Sequence, residues 1–436
     1  MELVSAVPTW QVVGAVVIFL LIYAFIITEK VNRAVIALVG ALLMVIFGMV
    51  DLKTAYEHHI EWETIFLLIG MMILVGITNK TGIFQYVAVK AAQSAKGDPI
   101  RILVFLALLT AIGSAFLDNV TTVLLIVPVT FSITRILQVN PFPYLISEII
   151  ASNVGGTATL IGDPPNIMIG TATHLNFNDF IVTLTPVIII IMAVTILIFM
   201  KFFGKSLKVT QENKDELMRL SAEDYITDRP LMNKSLIVLL ITIAGFALHS
   251  VIHVEAAVVA VAGATLLMLI GVKEHDIDEV FHAVEWTTIF FFAGLFVLVG
   301  GLIDVGVIKY LASKALDITA GDMTFTSMLI LWVSGIASAT IDNIPFVATM
   351  IPLIQDMGIQ LNVEPSALDP VWWSLALGAC LGGNGTLIGA SANVVVAAMA
   401  AREGKGFTYM DFLKIGAPIT LVSLVISTIY VLLFIL

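Results

Sequence analysis

Long apolar stretches dominate this chain and set its predicted elements. Val12 to Ile27, Ala34 to Val50, Ile181 to Met200 and Leu236 to Leu248 carry no charged residue. They approach the roughly 20 residues that cross a bilayer as a helix, whereas barrel strands would alternate over about ten. In the first half the pattern predicts crossings near 10–28, 33–50, 62–79 and 180–203. Between Lys205 and Lys234 it collapses into Lys-Val-Thr-Gln-Glu-Asn-Lys-Asp-Glu-Leu and Ser-Ala-Glu-Asp-Tyr. The chain therefore divides into a first half, 1–205, a charged and helix-prone linker, 206–233, and a second half, 234–436. Each half leaves apolar faces that only the other can cover.

Two arms, Ile102 to Leu117 and Val120 to Leu137, meet at Asp118-Asn119 with no polar loop between them. Two full crossings would need a water-exposed connection there, so a re-entrant hairpin with its tip at Asp118-Asn119 is expected. Such breaks persist at membrane depth only inside protein or beside a wet cavity. A segment starting near Tyr144 then meets Gly155-Gly156-Thr157 and Gly162-Asp163-Pro164-Pro165-Asn166. Proline lacks a backbone donor and disfavours helix in the residue before it, which predicts an unwound crossing. Ile83 to Gly97 is amphipathic, with Ile83, Phe84, Tyr86, Val87 and Val89 set against Lys80, Lys90, Gln93 and Lys96. It fits a helix lying in the membrane interface or one packed on a partner subunit.

The unusual pieces recur. Glu61-Trp62-Glu63-Thr64-Ile65-Phe66 returns as Glu285-Trp286-Thr287-Thr288-Ile289-Phe290, and the first tip returns as Asp342-Asn343, both displaced by 224 residues. Gly155 to Gly162 returns as Gly382 to Gly389, displaced by 227. Five crossings and one hairpin per half is an odd number, so the second half is expected to be inverted. The predicted fold class is an all-α polytopic membrane protein of two inverted-topology repeats, with about ten crossings, two re-entrant hairpins and helices broken at the midplane. Matching breaks of this kind in two halves point to a transporter's binding site.

Composition agrees: 59% of residues are hydrophobic and 12% charged, against roughly 25% charged in soluble domains. The net charge of −11 says little, because orientation follows Lys and Arg near segment ends. Lys30, Arg33, Lys80, Lys90, Lys96, Arg101, Lys201, Lys205 and Lys208 mark the cytoplasmic side of the first half, and Lys273, Arg402, Lys405 and Lys414 that of the second. This places the linker in the cytoplasm, both termini outside, and the protein in the inner (plasma) membrane. Cys380 stands alone, so no intrachain disulfide can form, and it reads as a core residue. Nothing forms a Walker motif, and neither an enzyme nor a nucleic-acid partner is expected.

Carboxylates within a membrane are costly and mark cavities or ion paths. Asp118, Asn119, Asp342 and Asn343 offer charged and amide oxygens at two tips that an inverted repeat brings together. Hard cations prefer oxygen ligands, so Na⁺ or H⁺ is the expected coupling ion there, with no other cofactor. Capping of the following helices is the plain alternative for both Asp residues. The Gly-rich breaks add Thr157, Thr159 and Asn166 on one side and Asn384, Thr386, Ser391 and Asn393 on the other, where half-helix N-termini suit an anion. Thr121, beside the first tip, and Asn153, ahead of the first break, complete the candidates. Asp163 has Ala390 as counterpart and serves as proton carrier or as cap before Pro164-Pro165. Glu148 reads as snorkelling to the interface. His58 and His282 read as interfacial, and Trp62 and Trp286 as an aromatic belt.

Gly70-Met71-Met72-Ile73-Leu74-Val75, Ser114 to Thr122, Gly162 to Asn166 and Gly382 to Val395 resemble the ion transporter superfamily, in the branch of P-protein-type transporters, arsenite-efflux permeases and NhaD-type sodium/proton antiporters. The resemblance implies inverted repeats, two hairpins, a homodimer and elevator-like motion. It implies sodium- or proton-coupled antiport first, with an oxyanion, arsenite or citrate-type carrier or a chloride pathway as alternatives. Dicarboxylate carriers of the superfamily carry Ser-Asn-Thr at both tips. Here Asp118-Asn119-Val120 and Asp342-Asn343-Ile344 replace the hydroxyl by a charge, which repels a di-anion unless cations or protons neutralise it.

Overall fold

A computed structural model describes residues 7–28, 31–204 and 207–436, so Lys30 and Lys205 of the charge pattern lie outside the described residues. Every regular element among the described residues is helical. The first half runs α1 (Thr9–Thr28), α2 (Arg33–Ile46), α3 (Leu52–Thr54), α4 (Trp62–Asn79), α5 (Ile83–Ser94), α6 (Pro99–Phe116), α7 (Asn119–Ile136), α8 (Phe142–Gly156), α9 (Pro164–Ala172) and α10 (Phe177–Phe203). After α11 (Gln211–Met218) in the linker come α12 (Arg229–Ile252), α13 (Ala256–Gly271), α14 (Ile277–Phe281), α15 (Trp286–Asp304) and α16 (Val307–Thr319). The second half closes with α17 (Met323–Thr340), α18 (Asn343–Leu361), α19 (Asp369–Gly382), α20 (Ser391–Arg402) and α21 (Tyr409–Tyr430).

The halves repeat element for element. Among the described residues ten helices are long and apolar enough to span a membrane, but four of them, α6, α7, α17 and α18, are hairpin arms. The broken pairs α8–α9 and α19–α20, together with the shorter α2 and α13, supply the remaining crossings. Inversion is visible in which ends meet. His59, just before α4, contacts Asp304 at the end of α15 at 3.1 Å, while Lys80, just past α4, pairs with Glu279 ahead of α15 at 3.0 Å. The equivalent helices α4 and α15 therefore run antiparallel.

The repeats also exchange partners. α2 packs on α15 and α13 packs on α4, so each half's second helix covers the other half's third crossing. The contact is backbone to backbone. A Cβ on Gly70 would stand 2.7 Å from the Ala260 carbonyl carbon, and one on the equivalent Gly294 2.7 Å from that of Ala37. Small residues permit this approach, the usual basis of helix association in membranes. A second body is built on each hairpin, with α6 against α8 and α17 against α19.

The linker is anchored and not merely solvated. Leu217 and Ala222 are buried, Asn213 donates to the Leu137 carbonyl at 3.1 Å, and Lys90 pairs with Glu223 at 3.0 Å. This docking covers α5, whose buried face (Ala88, Val89, Ala92) rests on its own hairpin and linker. Ile83, Phe84, Tyr86 and Val87 of its apolar face stay half-buried.

Candidate functional site

Each hairpin tip is a short extended break between two helices. Leu117 and Asp118 take φ/ψ of −120/157 and −65/157, and Ile341 and Asp342 take −133/146 and −48/133. Aspartate suits this position because its carboxylate accepts backbone donors of the next turn. Asp118 accepts from Thr121 N at 2.9 Å and from the Thr121 hydroxyl, and Asp342 accepts from Ile344 N at 3.2 Å. Both aspartates cap, as the plain alternative has it; Thr121 engages both Asp118 oxygens, whereas the Asp342 cap uses Oδ1 alone.

The following asparagines do something else. Asn119 and Asn343, both buried, point their amides at one carboxylate: Asn119 Nδ2 lies 3.3 Å and Asn343 Nδ2 3.5 Å from Asp163 Oδ1. The two tips thus converge on Asp163, itself at the break between α8 and α9. Asp163 is fully buried; its Oδ2 accepts from no N–H or O–H among the described residues, and the Cys380 thiol lies against the carboxyl.

The Gly-rich breaks form the wall behind it. Asn166 Nδ2 ties down the Thr157 and Thr159 carbonyls at 3.1 and 2.9 Å, and its counterpart Asn393 ties down those of Gly383 and Thr386 at 2.8 and 2.9 Å. Thr159 and Thr386 donate to the hairpin carbonyls of Ala115 and Ala339. Glycine is required at Gly162, where a Cβ would fall 2.5 Å from the Gly156 carbonyl oxygen and 2.6 Å from that of Ser114. Asn153 joins the halves: its amide donates to Asn384 Oδ1 at 2.8 Å and Asn393 Oδ1 at 2.9 Å, while its own oxygen accepts from Asn119 at 3.2 Å. The Thr157 hydroxyl is spent within its helix, on the Asn153 carbonyl at 2.7 Å.

Arg33 changes the electrostatics. Its charge pattern reads as a cytoplasmic loop signal, but Asn32 caps α2 and leaves Arg33 as the first helical residue, turned inward. Nη1 lies 3.0 Å from Asp342 Oδ2 and also bonds Ser391, Nη2 reaches Thr288 at 3.4 Å, and the guanidinium stands 5.1 Å from the Phe291 ring centroid. A cation in a helix's first turn opposes the macrodipole, which makes the Asp342 partner the better account of its place. Ser391 also donates to Asp342, at 2.9 Å. The two tip carboxylates therefore differ in their surroundings. Asp342 is held by Arg33 and Ser391, while Asp118 and Asp163 share a cavity of about 20 Å³ with Asn119, Arg33, Glu285, Thr288 and Ser391. That volume holds about one water or one small unhydrated ion. Beside it a cavity of about 240 Å³ is lined by Asn32, Arg33, Thr340, Asp342, Ser391 and apolar residues.

Glu148 departs from expectation, and Cys380 and Glu285 add to the site. Glu148 does not snorkel, being fully buried in α8 and accepting from the Thr130 hydroxyl. Cys380, the counterpart of Asn153, is buried as expected but sits against Asn166 Oδ1 at 3.4 Å, at the edge of the site. Glu285, part of the repeated Glu-Trp motif, lines the small cavity beside Arg33. Trp62 and Trp286 each donate an indole N–H to a carbonyl ahead of their helix, Tyr56 O and Phe281 O, and stay partly exposed.

Residues 23–378 match the family model described as CitMHS, a citrate transporter. The chain is 43% identical to an uncharacterized transporter of Mycobacterium tuberculosis (strain ATCC 25618 / H37Rv), over 96% of this chain and 97% of that one. It is 36% identical to the P protein of Mus musculus, over 97% of this chain and 60% of the P protein. In fold it is similar to the crystal structure of the Alcanivorax borkumensis YdaH transporter, titled as having an unusual topology, at a TM-score of 0.64, 14% identity and 98% of both chains.

Proposed function

The chain belongs to the citrate transporter family, CitMHS, and is a membrane transporter; we propose that it is a secondary active antiporter in which Asp163 and Asp118 bind Na⁺ in exchange for H⁺. One observation carries the reading: both hairpin tips converge on the buried Asp163 carboxylate, and one of its oxygens accepts from no N–H or O–H among the described residues. An isolated carboxylate in low dielectric costs several kcal/mol, so it stays occupied by a cation or a proton, the two states that exchange requires. The cavity of about 20 Å³ suits a dehydrated ion and excludes an organic substrate. Arg33 supplies an internal cation, holding Asp342 and setting the affinity for the transported one.

Motion is proposed along the seam between the two bodies. The exchanged α2, α4, α13 and α15 form a scaffold, against which the hairpins and broken helices move together in elevator fashion. Glu285 and Arg33 belong to the scaffold side and touch the site from it. With the linker face cytoplasmic, as the placement of Lys and Arg supports, the site in this arrangement lies near the inner ends of α2 and α15.

A second reading follows from the family description together with the cavity of about 240 Å³ walled by Arg33 and Ser391, in which a carboxylate substrate would sit beside the coupling ion. The test uses proteoliposomes enclosing a pH dye under an imposed Na⁺ gradient. Proton flux that Asp163→Asn abolishes supports exchange. Flux that needs external citrate supports the second reading, and flux unaffected by Asp163→Asn refutes both assignments of the site.

A further inference from the structure

Among the described residues two acidic side chains are fully buried, Asp163 and Glu148, and the site just described uses only the first. Glu148 lies midway along α8. One carboxyl oxygen accepts from Thr130 on α7, and the other has no partner among the described residues. The helices packed on α8 are α6, α7, α10, α19 and α20. Their charged residues, Arg101, Arg135, Asp179, Lys201, Asp369 and Arg402, all stand near helix ends, and none pairs with Glu148. Tyr144, a turn earlier, feels both Glu148 and Asp98 electrostatically but donates its hydroxyl to the Pro99 carbonyl at 3.0 Å. A carboxylate with a single neutral donor and no counter-charge would bear nearly the whole desolvation cost of ionisation, whereas the protonated acid would not.

Polar groups flank Glu148 on both sides, although Thr130 alone bonds it among the described residues. Toward the linker face, Thr134 donates to the Thr130 carbonyl at 2.8 Å and lines a cavity of about 880 Å³ that also holds Arg135 and Glu403. Toward the site, Ser152 lies one turn along α8 on the same face as Glu148 and donates to the Asn119 carbonyl at 3.0 Å. Asn119 in turn bonds Asp163.

We propose that Glu148 is a second proton-binding site, set in the hairpin-bearing body between the linker-face cavity and Asp163. A proton bound there makes Glu148 the neutral acid. Its departure leaves the carboxylate with the Thr130 hydroxyl as donor. The proposal rests on the reading of Asp163 as the exchange site and deepens it.

The test is infrared difference spectroscopy of the full chain in lipid bilayers through a series of pH steps, following the protonated-carboxyl C=O band. Wild type is expected to show a component that changes with pH, that Glu148→Gln removes, and that Asp163→Asn leaves in place. Gln retains the acceptor for Thr130, so the fold is expected to survive, and Glu148→Asp is expected to return a shifted component. Bound radioactive sodium should be the same in Glu148→Gln and wild type. A spectrum unchanged by Glu148→Gln, or a Glu148 component that stays fixed at every pH, overturns the proposal. Loss of sodium binding in Asp163→Asn is a separate readout, and its absence would sink the exchange site while leaving the Glu148 result intact.

Discussion

Replacing Arg33 by Gln removes a positive charge from the wall of the small cavity proposed to hold the ion and should, on that proposal, tighten cation binding. Arg33 Nη1 lies 3.0 Å from Asp342 Oδ2, with the two side chains 28% and 16% exposed. Two unit charges about 4 Å apart interact by about 4 kcal/mol at an effective dielectric near 20. The guanidinium is partly exposed and already paired with Asp342, so screening leaves about half of that, ~2 kcal/mol, for a cation in the cavity that Arg33 lines. At 1.4 kcal/mol per decade this is roughly a 30-fold fall in the dissociation constant for Na⁺. Binding of radioactive sodium to the purified protein at fixed pH measures it. Arg33→Lys keeps the charge and should stay near wild type in affinity, though it loses the fork that spans Asp342, Ser391 and Thr288. Unchanged or weaker sodium binding in Arg33→Gln would refute the idea that Arg33 opposes the transported cation.

Three other outcomes follow from the same geometry. Asn153→Ala strips a hydrogen-bond partner from Asn384, Asn393 and Asn119, each lost bond leaving a buried polar group at about 1–3 kcal/mol, so the unfolding midpoint in detergent should fall clearly. Gly70→Ala and Gly294→Ala each push a methyl to 2.7 Å from backbone that cannot yield, and both should lose about 1–3 kcal/mol by thermal unfolding. The Lys90 ammonium, bonded to Glu223, holds that exposed carboxyl below its ordinary range. Because the shift is downward, its stabilisation is present above the ordinary carboxylate range and is lost as pH falls through the lowered value. Protease cleavage of the linker should therefore rise on acidification in wild type and lose that step in Glu223→Gln.

The repeat was legible because it is written in residues that geometry constrains tightly. Glu-Trp before α4 and α15, Asp-Asn at the tips and the glycines of the breaks recur because each serves the same local need, a helix start, an extended cap or a backbone contact. Those local needs also predicted the hairpins and unwound crossings at their observed places. What escaped was whatever depends on the asymmetry between the halves. Arg33 has no basic counterpart, since Ala257 stands in the matching place, and beside Lys30 it reads as a loop charge until Asn32 is seen to start α2 in front of it. Asp163, facing Ala390 across the repeat, gave no sign that both tips turn toward it. Glu148 lies in an apolar run where only packing distinguishes a buried acid from one that snorkels. The exchange of α2 and α13 between halves leaves its trace in Gly70 and Gly294, whose spacing reads equally as ordinary close packing.

The central claim is that Asp163, held between two asparagines at the hairpin tips, trades a proton for a cation. Adding NaCl to the purified protein in weakly buffered solution and recording the pH tests this without transport. Wild type is expected to release protons on Na⁺ but not on an equal concentration of choline chloride, and Asp163→Asn, which keeps the oxygen that Asn119 and Asn343 share, is expected to release none. Proton release that persists undiminished in Asp163→Asn would place the exchange elsewhere and contradict the account.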